Sequence, residues 1–263
     1  GYDAQVKSLV MLKNHNHMLP IADSKKKVFI PKRHFPSVVD FFGNKSKDYW
    51  AVPIDLNMVK KYYDVVDNPA DADFSIVVVE GPMSGSGYSA DDVKAGGNGY
   101  VPISLQYNDY TATDARDVSI AGGDPKETFT NRSYRGKTVK TANRDDLQLV
   151  KQTKKQMGDK PVIVYLNAAK PVGVAEFEPS ADAILLSFGT SYQPFFDLIS
   201  GKREPSGLLP CQLPRDMKTV EEQKEDVPRD MVPYTDSDGH AYDFAFGMDW
   251  FGVINDSRVT KYK

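Results

Sequence analysis

The densest chemistry in the sequence surrounds Glu127, which is followed by Thr128–Phe129–Thr130–Asn131–Arg132–Ser133–Tyr134. Aromatic rings, hydroxyls, an amide and a guanidinium beside one carboxyl form the mixture that binds a polyhydroxylated ligand, and a partly buried carboxyl in such company is raised toward a working proton donor. Glu127 is the only Glu between Glu80 and Glu176. The competing reading is a solvated loop carboxylate, as expected for its neighbours Asp91, Asp92, Asp109, Asp114, Asp117 and Asp124.

Other constellations are weaker. Gly85–Ser86–Gly87–Tyr88–Ser89–Ala90 lies just past a strand pattern and superficially matches a dinucleotide turn, but Ala95–Gly96–Gly97–Asn98–Gly99 would break the helix that must follow. Asp236–Ser237–Asp238–Gly239 resembles part of a calcium loop and lacks the bidentate Glu such a loop needs, so it reads as a turn. The four histidines show no helical metal-pair spacing, and Cys211 is the single cysteine. We expect neither a metal nor another cofactor.

These residues need a frame. The run Ser75–Glu80 is rich in β-branched residues and breaks at Gly81–Pro82, the pattern of a strand buried on both faces. Pro161–Asn167 and Ala181–Phe188 repeat that pattern, and Val28–Ile30 is a shorter strand. Helices alternate with them. Asp3 can cap a first helix carrying Val6, Leu9 and Val10; Leu56, Val59, Tyr62 and Val65 mark a second; Asn143 with Asp145–Asp146 opens a third that stops at Gly158; Phe195, Leu198 and Ile199 mark a fourth. Alternation of this kind predicts a three-layer α/β/α sandwich with a mostly parallel open sheet of roughly five to six strands. Ligands of such sheets bind at the carboxyl edge. The polar loop 81–141 opens there and is too long to be an idle connection.

The 263 residues fit a single domain, 1–263, with an irregular tail, 215–263, anchored by Tyr242–Trp250. Leu208–Pro214, with its prolines, suits an edge strand. A net charge of −3 with no basic face argues against a nucleic-acid partner, and no apolar run is long enough to span a bilayer. The opening Gly1–Tyr2–Asp3 is neither an initiator Met nor a leader, which is the expectation for a segment cut from a longer protein.

Three stretches, in order, resemble the C-terminal α/β domain of glycoside hydrolase family 3, the β-glucosidase-like exo-glycosidases. Ser8–Asn14 with Met18–Leu19–Pro20 is similar to its opening apolar-Leu-Lys-Asn box, Glu204–Pro210 with Leu213–Pro214 to its Pro-Ser-Gly-x-Leu-Pro segment, and Tyr242–Met248 to its closing Tyr-x-Phe-x-x-Gly-Leu box. The resemblance implies a retaining exo-acting hydrolase of β-linked glycosides in which a preceding barrel domain supplies the carboxylate nucleophile. A loop of the present domain would then deliver the acid/base Glu, so this chain alone would be inactive. Family members commonly carry that acid soon after the strand matching Ser75–Glu80, where Met83–Gly87 has no carboxylate. Glu127, ahead of Asn131–Arg132–Ser133, is the nearest match for the acid/base, with Asn131, Arg132 and Tyr134 as substrate-binding candidates. Family members are often exported, so the resemblance admits a periplasmic or secreted location. The alternatives are a non-catalytic carbohydrate-binding or interaction domain displaying Tyr88, Tyr100, Tyr107, Tyr110 and Tyr134, and a dinucleotide-binding domain in which the Gly85–Ala90 turn leads into a helix.

Overall fold

The computed structural model describes residues 1–38, 43–119, 125–126, 129, 131–224 and 227–262. In chain order the strands are β1 (Val10–Asn14), β2 (Lys27–Phe29), β3 (Arg33–Phe35), β4 (Tyr49–Ala51), β5 (Asp64–Val66), β6 (Phe74–Glu80), β7 (Tyr110–Thr111), β8 (Thr138–Val139), β9 (Val162–Asn167), β10 (Ala183–Ser187), β11 (Met248–Asp249) and β12 (Gly252–Val253). The helices are α1 (Tyr2–Ser8), α2 (Leu56–Val59), α3 (Ala90–Lys94), α4 (Asp145–Met157), α5 (Tyr192–Ile199), α6 (Met217–Glu222) and α7 (Ser257–Tyr262).

The main sheet has eight strands in the order β12-β11-β1-β10-β9-β6-β2-β5. The expected parallel part is present: β10, β9, β6, β2 and β5 run parallel, and β1, β11 and β12 add an antiparallel flank. Strands β6, β9 and β10 are the continuous apolar runs, buried along almost their whole length because helices cover both faces. Helix α4 packs across β6 and β9, while α5 pairs with α1.

Several sequence expectations are corrected. The first helix ends at Ser8, and the Leu-Lys-Asn box that follows is strand β1, every residue of it buried. Five consecutive buried residues need neighbours on both edges, and β10 and β11 supply them. Asp3 does not cap α1: Gly1 holds that position, and the Asp3 carboxylate instead accepts from Arg203 at 2.7 Å. The second helix is a single short turn, α2, and Val65 belongs to β5, where it pairs with Val28.

Leu208–Pro214 is not a strand, since Pro210 and Pro214 have no N–H to give a ladder. It is bound instead to the tail by Leu209 N–H to Phe246 O at 2.7 Å, Ala245 N–H to Leu209 O at 2.9 Å and Leu213 N–H to Tyr242 O at 3.0 Å. The tail is therefore more than a surface appendage: Tyr242, Phe246 and Met248 are buried, and β11 and β12 widen the sheet.

These contacts explain why three short boxes far apart in sequence belong together. A Cβ on Gly207 would lie 2.1 Å from the carbonyl oxygen of Leu9, and a Cβ on Gly247 would lie 2.1 Å from that of Gly207. Main chain stacks on main chain at one place, and only glycine allows that approach.

Candidate active site at the carboxyl edge of the sheet

Strands β6 and β9 end in register, with Glu80 opposite Asn167, and the Gly81 N–H extends the ladder to Asn167 O at 2.7 Å. The Asn167 side-chain oxygen accepts from Gly189 N–H at 2.9 Å, so its amide nitrogen is left to donate to the Glu80 carboxylate at 2.8 Å. Burial pushes the Glu80 carboxyl above its ordinary range, against the pull of Asn167 and Arg33.

Beneath this edge sits a buried ion pair. Arg33 grips Asp146 at both oxygens, Nε–Oδ1 at 2.7 Å and NH2–Oδ2 at 2.8 Å, with both side chains almost wholly buried. Asp146 Oδ2 also accepts from Asn143 at 2.8 Å and from Glu80 N–H at 3.2 Å. Asn143, expected to cap α4, is committed elsewhere: it accepts from Met83 N–H at 2.7 Å and donates to the carbonyls of Glu80 and Gly81. The start of α4 thus anchors the start of the long loop.

Hydrogen bonds hold the described residues of that loop. The Tyr107 hydroxyl donates to Glu80 O at 2.7 Å, and the Glu176 carboxylate receives the backbone N–H groups of Tyr107 and Asn108. Lys137 ties one end together, donating to Asp92 at 2.7 Å, Asn98 at 2.7 Å and Tyr100 O at 2.8 Å. The loop also has a small core of its own: Tyr110, Ala112 and Ala115 pack on Met217 of α6, with Tyr134, Val139 and Val220 against them. Four apolar side chains suffice because α6 arrives from elsewhere in the chain.

Arg132 and Tyr134 line one cleft of about 440 Å³ together with Arg116, Ser119 and Glu221. The Arg132 guanidinium lies over the Tyr100 ring at 5.5 Å, and Phe129 meets the same ring edge-on at 5.9 Å. Tyr134 donates to Glu221 at 3.0 Å and Tyr110 to the other oxygen at 2.8 Å; burial and the facing carboxylate push the Tyr134 phenol up to about 12. Asn131 does not join the lining. Its amide shapes the loop, accepting from Ser119 N–H and Ser133 N–H and donating to Asp117 O at 2.7 Å. Glu127 and Asp124 lie outside the described residues.

Sequence spacing gave no sign of Glu221 or Lys137, because their partners converge only through the fold. The dinucleotide reading lacks its helix: α3 has five residues, capped by Ser89, and ends before Gly96–Gly97. Among the described residues no group of three His, Cys, Asp or Glu side chains is placed to hold a metal, and no helix is long and apolar enough to cross a membrane.

The sequence profile of the glycosyl hydrolase family 3 C-terminal domain matches residues 9–250. Beta-glucosidase C of Emericella nidulans is 36% identical over 84 residues, covering 32% of this chain and 14% of that protein. A probable beta-glucosidase C of Aspergillus flavus is 24% identical over 248 residues, covering 93% of this chain and 29% of its own length. The chain therefore spans less than a third of these relatives. Among solved structures, beta-glucosidase D2-BGL of Chaetomella raphigera superposes with a TM-score of 0.51 at 16% identity, covering 95% of this chain and 36% of that one, a likeness of fold. With the three converging boxes and a profile match along nearly its whole length, the chain belongs to the glycosyl hydrolase family 3 C-terminal domain family.

Proposed function

We propose that this chain is the second domain of a retaining, exo-acting β-glucosidase-like hydrolase, and that loop 81–141 brings the acid/base carboxyl and part of the sugar site to a barrel domain preceding it. The observation that carries this reading is the shared cleft of Arg132 and Tyr134, which stand five and seven residues past Glu127 in the sequence. In the reaction, Glu127 protonates the departing glycosidic oxygen while a carboxylate of the barrel attacks the anomeric carbon. It then takes a proton from the water that releases the sugar, the two carboxyls standing ~5–5.5 Å apart as retention requires. Tyr134, its phenol kept neutral by burial against Glu221, presents a hydroxyl rather than a charge to the substrate. Arg132, spread over the Tyr100 face, supplies positive charge without a flexible approach.

The reading of a non-catalytic carbohydrate-binding domain is less well supported, because Tyr107 and Tyr110 are buried and cannot form a displayed aromatic face. Loss of the nucleophile removes the covalent route, which gives the test. The purified 263-residue chain is expected to leave an aryl β-glucoside unhydrolysed while the longer protein carrying a barrel turns it over. Robust turnover by the chain alone would overturn the two-domain reading.

A further inference from the structure

Two adjacent residues fasten hairpin β3–β4 to the start of α4. Arg33 grips Asp146, and the next residue, His34, lies between two carboxylates from different elements. Its Nε2 is 2.8 Å from Oδ1 of Asp48, just ahead of β4, and its Nδ1 is 2.7 Å from Oδ2 of Asp145, the first residue of α4. The ring also stacks on Trp50 of β4, with centroids 4.9 Å apart and planes 21° off parallel. Its side chain is 15% exposed, while Asp48 and Asp145 are about half exposed.

A neutral imidazole has one N–H, so it can donate to one carboxylate and must turn a lone pair on the other. Only the doubly protonated ring suits both neighbours. The two contacts are unequal, however. Nε2 makes a hydrogen bond with Asp48, whereas Nδ1 is buried and its contact with Asp145, though short, is not directed along an N–H. A ring with one proton therefore keeps it on Nε2, within the hairpin, and sets the Nδ1 lone pair against Asp145. The bond with Asp48 does most to raise the imidazole above its ordinary value; burial opposes it, and Asp145 adds to it. The other charged residues in or next to β3, β4 and the first turn of α4 are Lys32, Arg33, Lys47, Arg144 and Asp146, and of these Arg33 and Asp146 neutralise each other.

We propose that His34 is a proton-operated latch between hairpin β3–β4 and α4, closed when the imidazole carries both protons and loosened when Nδ1 gives up its own. Closed, the imidazolium bridges the two elements. Open, the hairpin keeps the Arg33–Asp146 pair and loses its second hold on α4. The same two strands carry Phe35 and Tyr49, which stack with centroids 4.8 Å apart and form one wall of a cleft of about 640 Å³ at the ends of β6 and β9. The latch thus sets how firmly that wall is held. Because the native value of His34 lies above the unfolded one near ~6.5, the hold is complete below ~6.5 and is lost as the pH rises through the native value. The inference stands on the hairpin alone and does not depend on the carbohydrate reading.

The test is a pH titration of the 263-residue chain by NMR, following the histidine ring protons and the amide exchange of β3 and β4. The His34 ring signal, identified by its loss in His34→Gln, should titrate above ~6.5. Asp145→Asn should lower its midpoint by about 0.5, as loss of a half-exposed ion pair does. Protection of the β3–β4 amides, corrected for the intrinsic pH dependence of exchange, should fall about threefold between about pH 6 and about pH 9, while that of β9 stays level. Asp145→Asn should show the lower protection at both pH values, as should His34→Gln. If His34→Gln loses its dispersed spectrum, Asp145→Asn at a half-exposed position decides alone. A His34 midpoint at or below ~6.5, hairpin protection in the parent that does not change with pH, or the same fall in Asp145→Asn would overturn the latch.

Discussion

Asp146→Ala should be the most damaging single change at the carboxyl edge. The carboxylate receives Arg33 at both oxygens, Asn143 and the Glu80 N–H, and its removal leaves Arg33 buried, with 5% of its side chain exposed and its ion-pair partner gone. Breaking a buried pair from one side costs about 3–5 kcal/mol, because the surviving charge stays desolvated. With a urea slope of about 3 kcal/mol/M for a chain of this size, the midpoint should fall by about 1–1.7 M. The double variant Arg33→Met/Asp146→Ala removes the stranded charge and should recover about 2 kcal/mol or more of that loss, since apolar replacement of both partners is often close to neutral. Urea unfolding followed by circular dichroism on the four proteins closes the cycle. Additive losses, or an Asp146→Ala cost below about 1 kcal/mol, would refute the view that this pair is a desolvated clamp.

Two further outcomes test the frame. Burial pushes Glu178 up, but hydrogen bonds from Lys13, Tyr234 and Ser237 outweigh it and hold the carboxyl below its ordinary range. The stability it contributes is therefore complete above the unfolded value near ~4.3 and is lost as pH falls through the lower native value. The urea midpoint should drop more steeply with acid in the parent than in Glu178→Gln, and parallel pH curves would count against this. Gly207→Ala should cost about 3 kcal/mol, since its new Cβ would meet the backbone carbonyl of Leu9. Gly136→Ala, strained at φ 78° but with open space around it, should cost only about 1 kcal/mol; equal melting shifts would show that backbone approach is not what the boxes conserve space for.

The parallel strands β6, β9 and β10 were legible because a strand buried on both faces must be apolar throughout, and no helix face has that pattern. Helix α4 was legible from its acidic start and Gly158. Strand β1 was not, because Val10–Asn14 reads equally as the end of a helix until β10 and β11 are there to pair with it. The two-residue strands β11 and β12 carry too little pattern to read at all. At the site, two of the substrate-binding candidates named from the sequence, Arg132 and Tyr134, line one cleft, while the amide of the third, Asn131, bonds Ser119, Ser133 and Asp117. Glu80 and Asn167 escaped notice because their meeting depends on strand register, which no single stretch encodes.

The central claim is that Glu127 is the proton donor and acceptor of the reaction, and its most direct test is the leaving-group dependence of Glu127→Gln in the longer, barrel-containing protein. Turnover of cellobiose, whose leaving group needs protonation, should fall by about 10²–10⁴. Glycosylation by a dinitrophenyl β-glucoside, which needs almost none, should stay close to that of the parent. Equal and small effects on both substrates would remove Glu127 from the mechanism.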